Sequence, residues 1–532
     1  MIIPLTPIRC LYRGVDLYSN KVAIISGNRR YTYGQFGERC ERLAAGLSAH
    51  GIQRRDRVAY LSFNNNQLLE GYYGVPLVRG IVMPLNVRLT AQELIQILNH
   101  AGARMLIFEN DFAALVDAFR KGCPGIERYV AIDGASPQAD CSYEELLSNG
   151  RIDRPDLFSF DENEIAELFY TSGSTGTPKG VMLSHRTVYL HALGVCCSCH
   201  ITQPEDTIVL HTIPLFHANG WGGPQTATLK GHKQVMVRRF DPVQVLQLIQ
   251  QEHATTMSIV PVMANALLNY PDLGKYDVSS MRDISLGGAA SSTELIARLE
   301  QAFHCNVMSG YGLTETAPVA LWANDKDTVQ FVDDEDRLRH KAMAGWAIVG
   351  NEVRVVDAQM RDVPRDSEAI GEVIVRGDNV MEGYYKEPES TREAITNGWL
   401  HTGDMAVWDE DSYVQIVDRK KEIIISGGEN ISSIEIEKAI FAHPAVFECA
   451  VVAAPDAQWG EIPVAIVALK PGTELTESDL MDSLRPRLAK FKLPKRIYFV
   501  EDPLPKTGTG KILKRQLREQ FWQHEERRVK GI

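Results

Sequence analysis

The sequence lacks the features of a secreted, membrane-spanning or disulfide-stapled protein. Its nine cysteines are scattered, and the opening MIIPLTPIRC has no charged segment and too short an apolar run for a signal peptide. No run reaches the ~20 apolar residues of a membrane helix, because Arg79 interrupts the best candidate at 74–85. The CxC at 197–199 has no second pair, so it is a poor zinc pattern. These absences predict a cytoplasmic protein with no membrane span.

The charge is acidic overall but basic near the carboxyl terminus. The chain has 56 Lys and Arg against 68 Asp and Glu, and this net charge of −12 argues against a general nucleic-acid binder. Residues 484–532 nevertheless hold 14 Lys and Arg against 5 Asp and Glu. Such an end is either a solvated face, which is the commoner case, or a binding place for a small polyanion. Composition alone does not decide between a solvated face and a binding place.

The chain is too long for one hydrophobic core. Single cores stop growing near roughly 250–300 residues, so 532 residues predict at least two domains. Short apolar runs alternate with helical patterns, which is typical of parallel sheets covered by helices. A capping-box pattern at Thr32 and Gln35 begins one such helix. The predicted buried strands lie at 58–63, 105–108, 208–213, 256–260 and 284–286.

These patterns predict an α/β fold in three parts. Residues 1–418 form a large N-terminal domain of stacked α/β sheets. Within it, short alternating strands at about 345–417 indicate a small β-barrel-like subdomain. The charged stretch 418–422 marks a boundary, and residues 419–532, in the order strand, helix, strand, helix, predict a small α+β domain.

The string YTSGSTGTPKG at residues 170–180 is the most specific motif. It follows an apolar strand at 165–169 and precedes a helix expected to open near Ser184. Glycines let the backbone wrap an anion, hydroxyls and amides donate to phosphate oxygens, and Lys179 adds a positive charge. The spacing differs from GxxxxGK[ST], so this is not the P-loop of NTPases. The ordered string also argues against an ordinary flexible surface loop.

Five motifs in order make the chain resemble the adenylate-forming superfamily of acyl-CoA synthetases, firefly-type luciferases and peptide-synthetase adenylation domains. Residues 170–180 resemble its phosphate loop, and SGYGLTET at 309–316 resembles its adenine and magnesium segment. WLHTGD at 399–404 is similar to its ribose segment. DRKKEIIISGGEN at 418–430 resembles the hinge and first strand of a mobile C-terminal domain, and PKTGTGK at 505–511 the segment of the catalytic lysine.

The resemblance implies roles in forming an acyl-adenylate. Two anions, a carboxylate and ATP, must meet, so cations and dipoles near the α-phosphate supply most of the catalysis. The implied catalytic residues are Lys511, Thr314 and Glu315. Lys511 would bridge carboxylate and phosphate oxygens, while Thr171 and Glu315 would hold Mg2+, a cation that prefers oxygen ligands.

The same resemblance implies a nucleotide site. Asp404 suits the ribose diol because a carboxylate accepts from both hydroxyls, and Arg419 would approach the same ribose. Tyr311 offers a face for adenine. The implied ATP- and AMP-binding residues are Thr171, Ser172, Gly173, Ser174, Thr175, Gly176, Lys179, Gly287, Gly288, Ala289, Ser309, Gly310, Tyr311, Gly312, Asp404 and Arg419.

Thioester formation needs a second surface, which the family presents by rotating the small domain. The resemblance makes Lys421 the hinge of this domain alternation. Gly427 and Gly428 would flank the pantetheine channel, since a bare backbone admits a thin chain closely. The remaining implied coenzyme A contacts, which lie in or beside the basic end, are Trp459, Phe491, Lys492 and Lys495.

The acid is the least determined part of the site. IPLFHANGW at 213–221 matches the segment that begins the family's acyl pocket. Amino-acid-activating relatives place an Asp there, and this chain has Phe216 and His217 instead, so an amino acid is not expected. Glycines, which have no side chain, leave room for an acyl chain. Trp221 either controls entry to the pocket or packs in the core. The expected pocket residues are His217, Trp221, Gly222, Val260 and Gly288.

The sequence therefore predicts an acid–CoA ligase for medium- to long-chain fatty acids. Its partners would be a carboxylic acid, ATP, Mg2+ and coenzyme A, with no nucleic acid, and a homodimer is left open. The alternatives are an aryl or short-acid CoA ligase, a carrier-protein acylating enzyme and a luciferase-like oxygenase. A non-catalytic nucleotide sensor is disfavoured, because Lys511, Glu315 and Asp404 are all present.

Overall fold

The computed structural model describes residues 2–171, 178–198, 206–426, 429–456, 458–506 and 512–522. Within these ranges, no helix combines the length and the apolar character needed to cross a membrane. The residues fall into two compact units, the first formed by Met1–Val353 and Val375–Leu400 and the second by Arg354–Ile374 and His401–Ile532. The predicted domain boundary at 418/419 stays a prediction.

The helices are distributed along the whole described chain. They are α1 (Ile8–Tyr18), α2 (Tyr33–Ala49), α3 (Asn66–Leu77), α4 (Ala91–Ala101), α5 (Ala113–Gly122), α6 (Tyr143–Leu147), α7 (His185–Ser198), α8 (Ala218–Trp221), α9 (Gly223–Lys230), α10 (Pro242–Glu252), α11 (Pro261–Leu268), α12 (Thr293–Phe303), α13 (Asp334–Lys341), α14 (Pro388–Ala394), α15 (Ser433–Phe441), α16 (Glu477–Leu484) and α17 (Lys514–Glu519).

The strands up to residue 259 are mostly short. They are β1 (Val22–Ser26), β2 (Arg29–Thr32), β3 (Arg57–Leu61), β4 (Ile81–Pro84), β5 (Ala103–Phe108), β6 (Arg128–Ala131), β7 (Cys141–Ser142), β8 (Ile165–Thr171), β9 (Lys179–Ser184), β10 (Ile208–His211), β11 (Lys233–Met236) and β12 (Thr256–Ile259).

The later strands include the longest of the described chain. They are β13 (Asp283–Leu286), β14 (Asn306–Gly312), β15 (Val319–Trp322), β16 (Trp346–Ala347), β17 (Asn351–Val356), β18 (Gly371–Gly377), β19 (Gly383–Tyr384), β20 (Ile395–Thr396), β21 (Trp399–Trp408), β22 (Val414–Arg419), β23 (Ile424–Ser426), β24 (Glu429–Ile431), β25 (Val446–Asp456), β26 (Gly460–Leu469) and β27 (Arg496–Val500).

Four sheets organise these strands. A nine-stranded sheet has the order β16-β15-β14-β13-β12-β10-β11-β1-β2, and an eight-stranded sheet has the order β19-β9-β8-β4-β3-β5-β6-β7. A five-stranded sheet runs β17-β18-β21-β20, with β22 paired to β21, and another runs β24-β23-β26-β25, with β27 paired to β26. Most central pairs of the two large sheets are parallel, for example β12 with β13 and β3 with β5.

The two large sheets share one hydrophobic core. Along β3 the side chains alternate, so that Val58 and Tyr60 join one buried cluster while Ala59 and Leu61 join another. The first cluster also holds Ile24, from the other sheet. A strand buried on both faces reads as a continuous apolar run, which is why these strands were visible in the sequence. The predicted α/β class with stacked sheets is confirmed.

Several local predictions are confirmed in both units. The predicted capping box forms: Gln35 N–H donates to the Thr32 side chain, and the Gln35 side chain accepts from the Thr32 N–H. The five predicted strands correspond to β3, β5, β10, β12 and β13, with ends that differ by up to two residues. The hairpin predicted about 409–412 forms between β21 and β22.

The small C-terminal part is richer in strands than expected. Its first strand, β23, pairs with β24 before any helix begins, and β25 pairs antiparallel with β26 over Val446 to Leu469. The predicted order strand, helix, strand, helix is therefore wrong at these two hairpins.

Helix α2 lies close against α6, and a glycine makes this approach possible. A Cβ added at Gly46 would lie 2.1 Å from the backbone oxygen of Leu146. We predict that Gly46→Ala lowers the free energy of unfolding by about 1–2 kcal/mol, because an overpacking cost of about 1–3 kcal/mol exceeds the gain of about 0.5–1 kcal/mol from replacing a helical glycine. Urea unfolding followed by circular dichroism measures the change.

Gly274→Ala is the matched control, since a Cβ at Gly274 would meet no atom within 4 Å. This variant should unfold at the wild-type urea concentration. If Gly46→Ala proves as stable as wild type while the control is unchanged, the close approach of the two helices is not a constraint on the fold.

Candidate functional site

The segment that resembles a phosphate loop connects two antiparallel strands. Thr171 at the end of β8 pairs with Lys179 at the start of β9. Helix α7 begins at His185, directly after β9, in agreement with the helix expected to open near Ser184. Lys179 Nζ lies 3.9 Å from Glu387 Oε2 and 4.8 Å from the centre of the Tyr384 ring. This lysine is therefore held beside the loop.

Glu315 lies in a short 3-10 turn, Thr314–Thr316, and is fixed from two sides. The Tyr384 hydroxyl donates to Glu315 Oε1 at 2.9 Å, and the Met381 N–H donates to the Glu315 backbone oxygen at 2.9 Å. Burial, together with this carboxylate, raises the pKa of Tyr384 above its ordinary value, so the hydroxyl stays a donor. Tyr384 had no recognisable sequence signal, because it is 69 residues from Glu315.

The oxygens of this turn suit a hard cation. In the described ranges no three His, Cys, Asp or Glu side chains come together as a metal site. A cation at Glu315 would take its remaining ligands from water, phosphate oxygens and, as the sequence predicts, the Thr171 hydroxyl. Mg2+ is commonly bound in this way, through one or two carboxylates plus substrate phosphates. The donor set fits the predicted ion.

The residues predicted to bind adenine lie at the carboxyl ends of two neighbouring strands of the nine-stranded sheet. Leu286, the last residue of β13, pairs in parallel with Ser309 of β14, so 287–289 leave β13 beside 309–312, the last residues of β14. Gly288 has a φ of 74°, and Gly288 and Ala289 are exposed. The Ser309 hydroxyl oxygen is buried with no hydrogen-bond partner among the described residues.

The predicted acyl segment contains a left-handed turn. The φ angles of Ala218, Asn219, Gly220, Trp221 and Gly222 are 44°, 43°, 58°, 62° and 72°. A left-handed conformation costs roughly 1–2 kcal/mol for each residue other than glycine. The short element α8 therefore needs support from its surroundings. That support includes Glu167, a buried carboxyl that the sequence argument missed.

This turn presents Trp221 to the glycines of the neighbouring loop. A Cβ at Gly287 would lie 2.9 Å from the Trp221 ring, and one at Gly288 would lie 3.2 Å from Val260 and 3.6 Å from the same ring. Trp221 and Val260 are only partly buried. Three predicted pocket residues thus meet, and the ring covers part of the space that the glycines were expected to leave open.

Neutral histidines support the same region. A Cβ at Gly222 would lie 2.4 Å from the His191 ring, whose Nε2 accepts from the Val319 N–H at 3.1 Å. Burial lowers the pKa of His191 to about 3 and that of His211 to about 4, so both are uncharged at neutral pH. His217, by contrast, is only partly buried before the turn. The buried histidines beside the turn therefore carry no charge at neutral pH.

The second unit carries the predicted ribose residues. Asp404 of β21 pairs with Arg419 of β22, and Arg419 Nε lies 2.5 Å from Asp404 Oδ1. Asp404 is buried, whereas Arg419 is about half exposed. Glu372, which the sequence argument missed, accepts from the Gly403 N–H at 3.1 Å and lies 3.2 Å from Lys420 Nζ. This carboxylate positions Gly403, the residue before Asp404 in β21.

The predicted hinge is tied to the helix α17. Arg518 Nη1 donates to the Lys421 backbone oxygen at 2.9 Å. Asp418 is fully buried and accepts from the Ser433 N–H at 2.6 Å, which anchors the start of α15. Lys514 Nζ, on α17, lies 2.8 Å from Glu437 and donates to the Ser433 hydroxyl at 2.6 Å.

The predicted coenzyme A contacts are surface residues with different surroundings. Trp459 and Phe491 are exposed by 46% and 43%, which is unusual for large aromatic side chains. Lys492 Nζ is paired with Glu435 at 2.8 Å, so its charge is partly used inside the protein. Lys495 is exposed, and its N–H donates to the Pro463 oxygen at 2.8 Å.

Several predicted site residues lie outside the described part of the chain, so their placement stays a prediction. They are Ser172, Gly173, Ser174, Thr175 and Gly176 of the phosphate segment, Gly427 and Gly428 of the proposed channel, and Lys511.

Comparison with known proteins agrees with these motifs. Residues 11–385 match the family described as AMP-binding enzyme, and residues 435–511 match the AMP-binding enzyme C-terminal domain. The chain is 39% identical to a long-chain-fatty-acid–CoA ligase of Thermus thermophilus over 92% of this chain and 90% of that protein. It is 35% identical to a peroxisomal butyrate–CoA ligase of Arabidopsis thaliana over 97% and 93%.

A solved structure extends the agreement to the fold. The anthranilate CoA ligase AuaEII in complex with anthranoyl-AMP superposes with a TM-score of 0.86 and is 25% identical, covering 98% of each chain. The three relatives act on acids of different kinds but share one reaction type. The chain therefore belongs to the AMP-binding, adenylate-forming enzyme family, and it is an acyl-CoA synthetase.

Proposed function

We propose that this acid–CoA ligase activates medium- to long-chain fatty acids. The observation that carries the proposal is the apolar wall formed by Trp221, Val260 and the bare backbone of Gly287 and Gly288. The partly exposed face of the tryptophan offers an acyl chain an apolar surface. Each buried methylene contributes about 0.8 kcal/mol, so a long chain gains more from such a wall than a short one. The identity of 39% to a long-chain relative supports this choice.

An aryl or short acid is the second candidate. It is favoured by the position of the Trp221 ring, which covers the glycines and so limits the depth of the pocket beyond it. A flat aromatic acid would stack on the same ring without needing that depth. The resemblance to an anthranilate ligase and to a butyrate ligase supports this alternative.

In the proposed first step, an oxygen of the carboxylate attacks the α-phosphorus of ATP, and the bond to the β-phosphate breaks to release pyrophosphate. Lys511 would bridge the two reacting anions and Lys179 would lie beside the phosphates, while Thr171 and Thr314 would donate hydroxyls. Mg2+, when bound by Glu315 and Thr171, supplies charge neutralisation at the phosphates. The buried Asp404, oriented by Arg419, would accept the ribose hydroxyls.

In the proposed second step, the thiol of coenzyme A attacks the acyl carbon and AMP leaves. Trp459 and Phe491 are the exposed aromatic side chains that would stack on the nucleotide, with Lys495 near its phosphates. We propose that the small domain, residues 419–532, turns about Lys421 between the two steps. That turn would remove Lys511 from the acyl-adenylate and admit the thiol.

The first prediction concerns acid length. Across the saturated acids from C4 to C16 plus benzoate, kcat/KM should rise roughly tenfold for every two methylenes until the pocket is full. Trp221→Ala should lower kcat/KM for the long acids roughly tenfold, because it removes the wall on which the chain packs. The measurement is ATP-dependent release of AMP in the presence of coenzyme A.

Trp346→Ala is the control, because it deletes the same side chain from the edge strand β16, outside the proposed pocket. It should leave the length profile of the wild type unchanged. A flat wild-type profile from C4 to C12 would rule out the fatty-acid assignment. Preference for benzoate or butyrate, together with a shift of Trp221→Ala toward longer acids, would establish the alternative.

The second prediction separates the two half-reactions. Lys511→Ala should slow pyrophosphate release about 100- to 1000-fold, the usual effect of losing a donor that stabilises transition-state charge. The same variant should convert synthetic acyl-AMP and coenzyme A to thioester nearly normally. Lys421→Pro fixes one φ angle and should hinder the rotation, so that thioester formation fails while pyrophosphate release survives. Burst kinetics and thioester yield are measured for both variants.

Lys421→Ala is the matched control, since it removes the same side chain without fixing φ. It should retain both steps. Equal loss of both steps in Lys511→Ala and in Lys421→Pro would contradict the two-conformation mechanism, and equal loss in Lys421→Pro and Lys421→Ala would show that the side chain matters and the rotation does not.

A further inference from the structure

The left-handed turn at 218–222 is fastened to the neighbouring sheet by one buried carboxyl group. Asn219 Nδ2 donates to Glu167 Oε2 at 2.8 Å, and Gln225 Nε2 donates to Glu167 Oε1 at 2.8 Å. Each of these three side chains is at most 1% exposed. Asn219 lies in the turn and Gln225 in α9, directly after it, so the carboxyl holds the residues on both sides of Trp221. We name these three residues the Glu167 clamp.

The turn also depends on Asn219 itself. The Gly222 N–H donates to Asn219 Oδ1 at 2.6 Å, so the two polar atoms of this amide close the turn and attach it to β8. Asparagine is among the few side chains that tolerate a left-handed backbone. Trp221 has no such tolerance at its φ of 62°, so its conformation depends on the hydrogen bonds of its neighbours.

The carboxyl group of Glu167 is protonated when it forms the clamp. It is buried beside two neutral amides, and this burial raises its pKa to about 8. Gln225 Oε1 has no hydrogen-bond partner among the described residues. Rotation of that amide would let Oε1 accept the carboxyl proton while Asn219 continues to donate to the other oxygen. Tyr72, on α3, is a titratable side chain that interacts electrostatically with this carboxyl, and the two are neutral together at pH 7.

We propose that Glu167 is a positioning residue for acid specificity, acting through Asn219 and Gln225 to hold the Trp221 ring against Gly287 and Gly288. Glu167 lies on β8, the strand that continues into the phosphate segment. The clamp therefore ties the wall of the acyl pocket to the strand that leads to ATP. The inference rests on the proposed function only in taking Trp221 as part of the acyl pocket.

Two nearly isosteric substitutions test the clamp. Glu167→Gln keeps an acceptor for Asn219 and a group that bonds Gln225, so KM for the acid and the length profile should stay within about twofold of wild type. Glu167→Met has a similar shape but no acceptor. It should raise KM for the acid and weaken discrimination between acids by roughly 10- to 100-fold, the usual effect of a displacement of about 1 Å in a binding site. KM for ATP should change less than twofold in both variants.

A spectroscopic measurement separates this inference from the choice of substrate. The emission of Trp221 is obtained as the difference between each variant and the same variant carrying Trp221→Phe. It should shift to longer wavelength in Glu167→Met and stay unchanged in Glu167→Gln, without any acid present. If the emission shifts while the wild type shows no preference for fatty acids, the clamp stands and the proposed function fails.

Phe119→Leu controls for general destabilisation, because Phe119 lies in the core on the opposite side of the eight-stranded sheet. If it alters the acid profile as much as Glu167→Met, or if Glu167→Met leaves both the Trp221 emission and the acid profile unchanged, the clamp is only structural. Should Glu167→Met fail to fold, Asn219→Gly replaces it, since glycine keeps the left-handed backbone but deletes both hydrogen bonds. An unchanged profile and unchanged emission in Asn219→Gly would likewise overturn the proposal.

The protonated carboxyl gives a further prediction for pH. The folded pKa, about 8, exceeds the ordinary 4.5, so the folded protein keeps a proton that the unfolded chain releases. The stabilising contribution of Glu167 is therefore fully present below about pH 4.5 and is lost as the pH rises to about 8. Glutamine does not titrate, so the melting temperature of Glu167→Gln, relative to wild type, should increase across this interval.

The exposed Glu335→Gln is the control, and its melting temperature relative to wild type should not drift over the same interval. A Glu167→Gln difference that is constant from pH 5 to 8.5 would show that Glu167 is ionised throughout. In that case the inference that the Glu167 carboxyl is neutral is wrong, although its two hydrogen bonds remain.

Discussion

Buried carboxyl groups that accept hydrogen bonds from backbone or amide N–H groups fix segments of this enzyme that hold or adjoin its predicted site residues. Glu167 holds the turn of Trp221, Glu372 accepts from the N–H of Gly403, and Asp418 accepts from the N–H of Ser433. All three are less than 9% exposed. A buried acceptor left without a donor costs about 1–3 kcal/mol, so each segment is held in a conformation that satisfies its carboxyl. Such constraints stabilise a geometry that packing alone would not specify.

The parallel sheets supply the frame to which these turns are attached. Because the carboxyl ends of neighbouring parallel strands meet at one edge, β13 and β14 bring Gly288 and Tyr311 to the same place although 23 residues separate them in sequence. The shared core between the two large sheets then packs Phe169 of β8 in one cluster with Ile24 of β1. The buried strands therefore determine the positions of the predicted site residues. Only short segments at the strand ends are available for ligand contacts.

The sequence predicts best what depends on local periodicity and least what depends on pairing across the chain. The strand at 57–61 and the capping box at Thr32 were predictable because their signals lie within a few residues. The roles of Glu315 and Asp404 were predicted because their motifs resemble those of the adenylate-forming superfamily. Tyr384 and Glu372 could not be found in this way, because each acts on a residue about 30 to 70 positions distant and has no distinctive neighbours. The left-handed turn was missed for a related reason, since only two of its five residues are glycines.

Part of the positive charge of the carboxyl-terminal end is neutralised by ion pairs within the protein. The excess of Lys and Arg after residue 484 suggested a field that attracts a polyanion, yet Lys492, Lys506 and Lys514 are each paired with a glutamate. Lys514 is partly buried, and although burial lowers its pKa, its neighbouring carboxylates raise the pKa overall, so it serves the fold near the predicted hinge. Long-range attraction is therefore weaker than the count implies. Affinity for a nucleotide such as coenzyme A must then depend more on direct stacking, for which the exposed ring of Trp459 is suited.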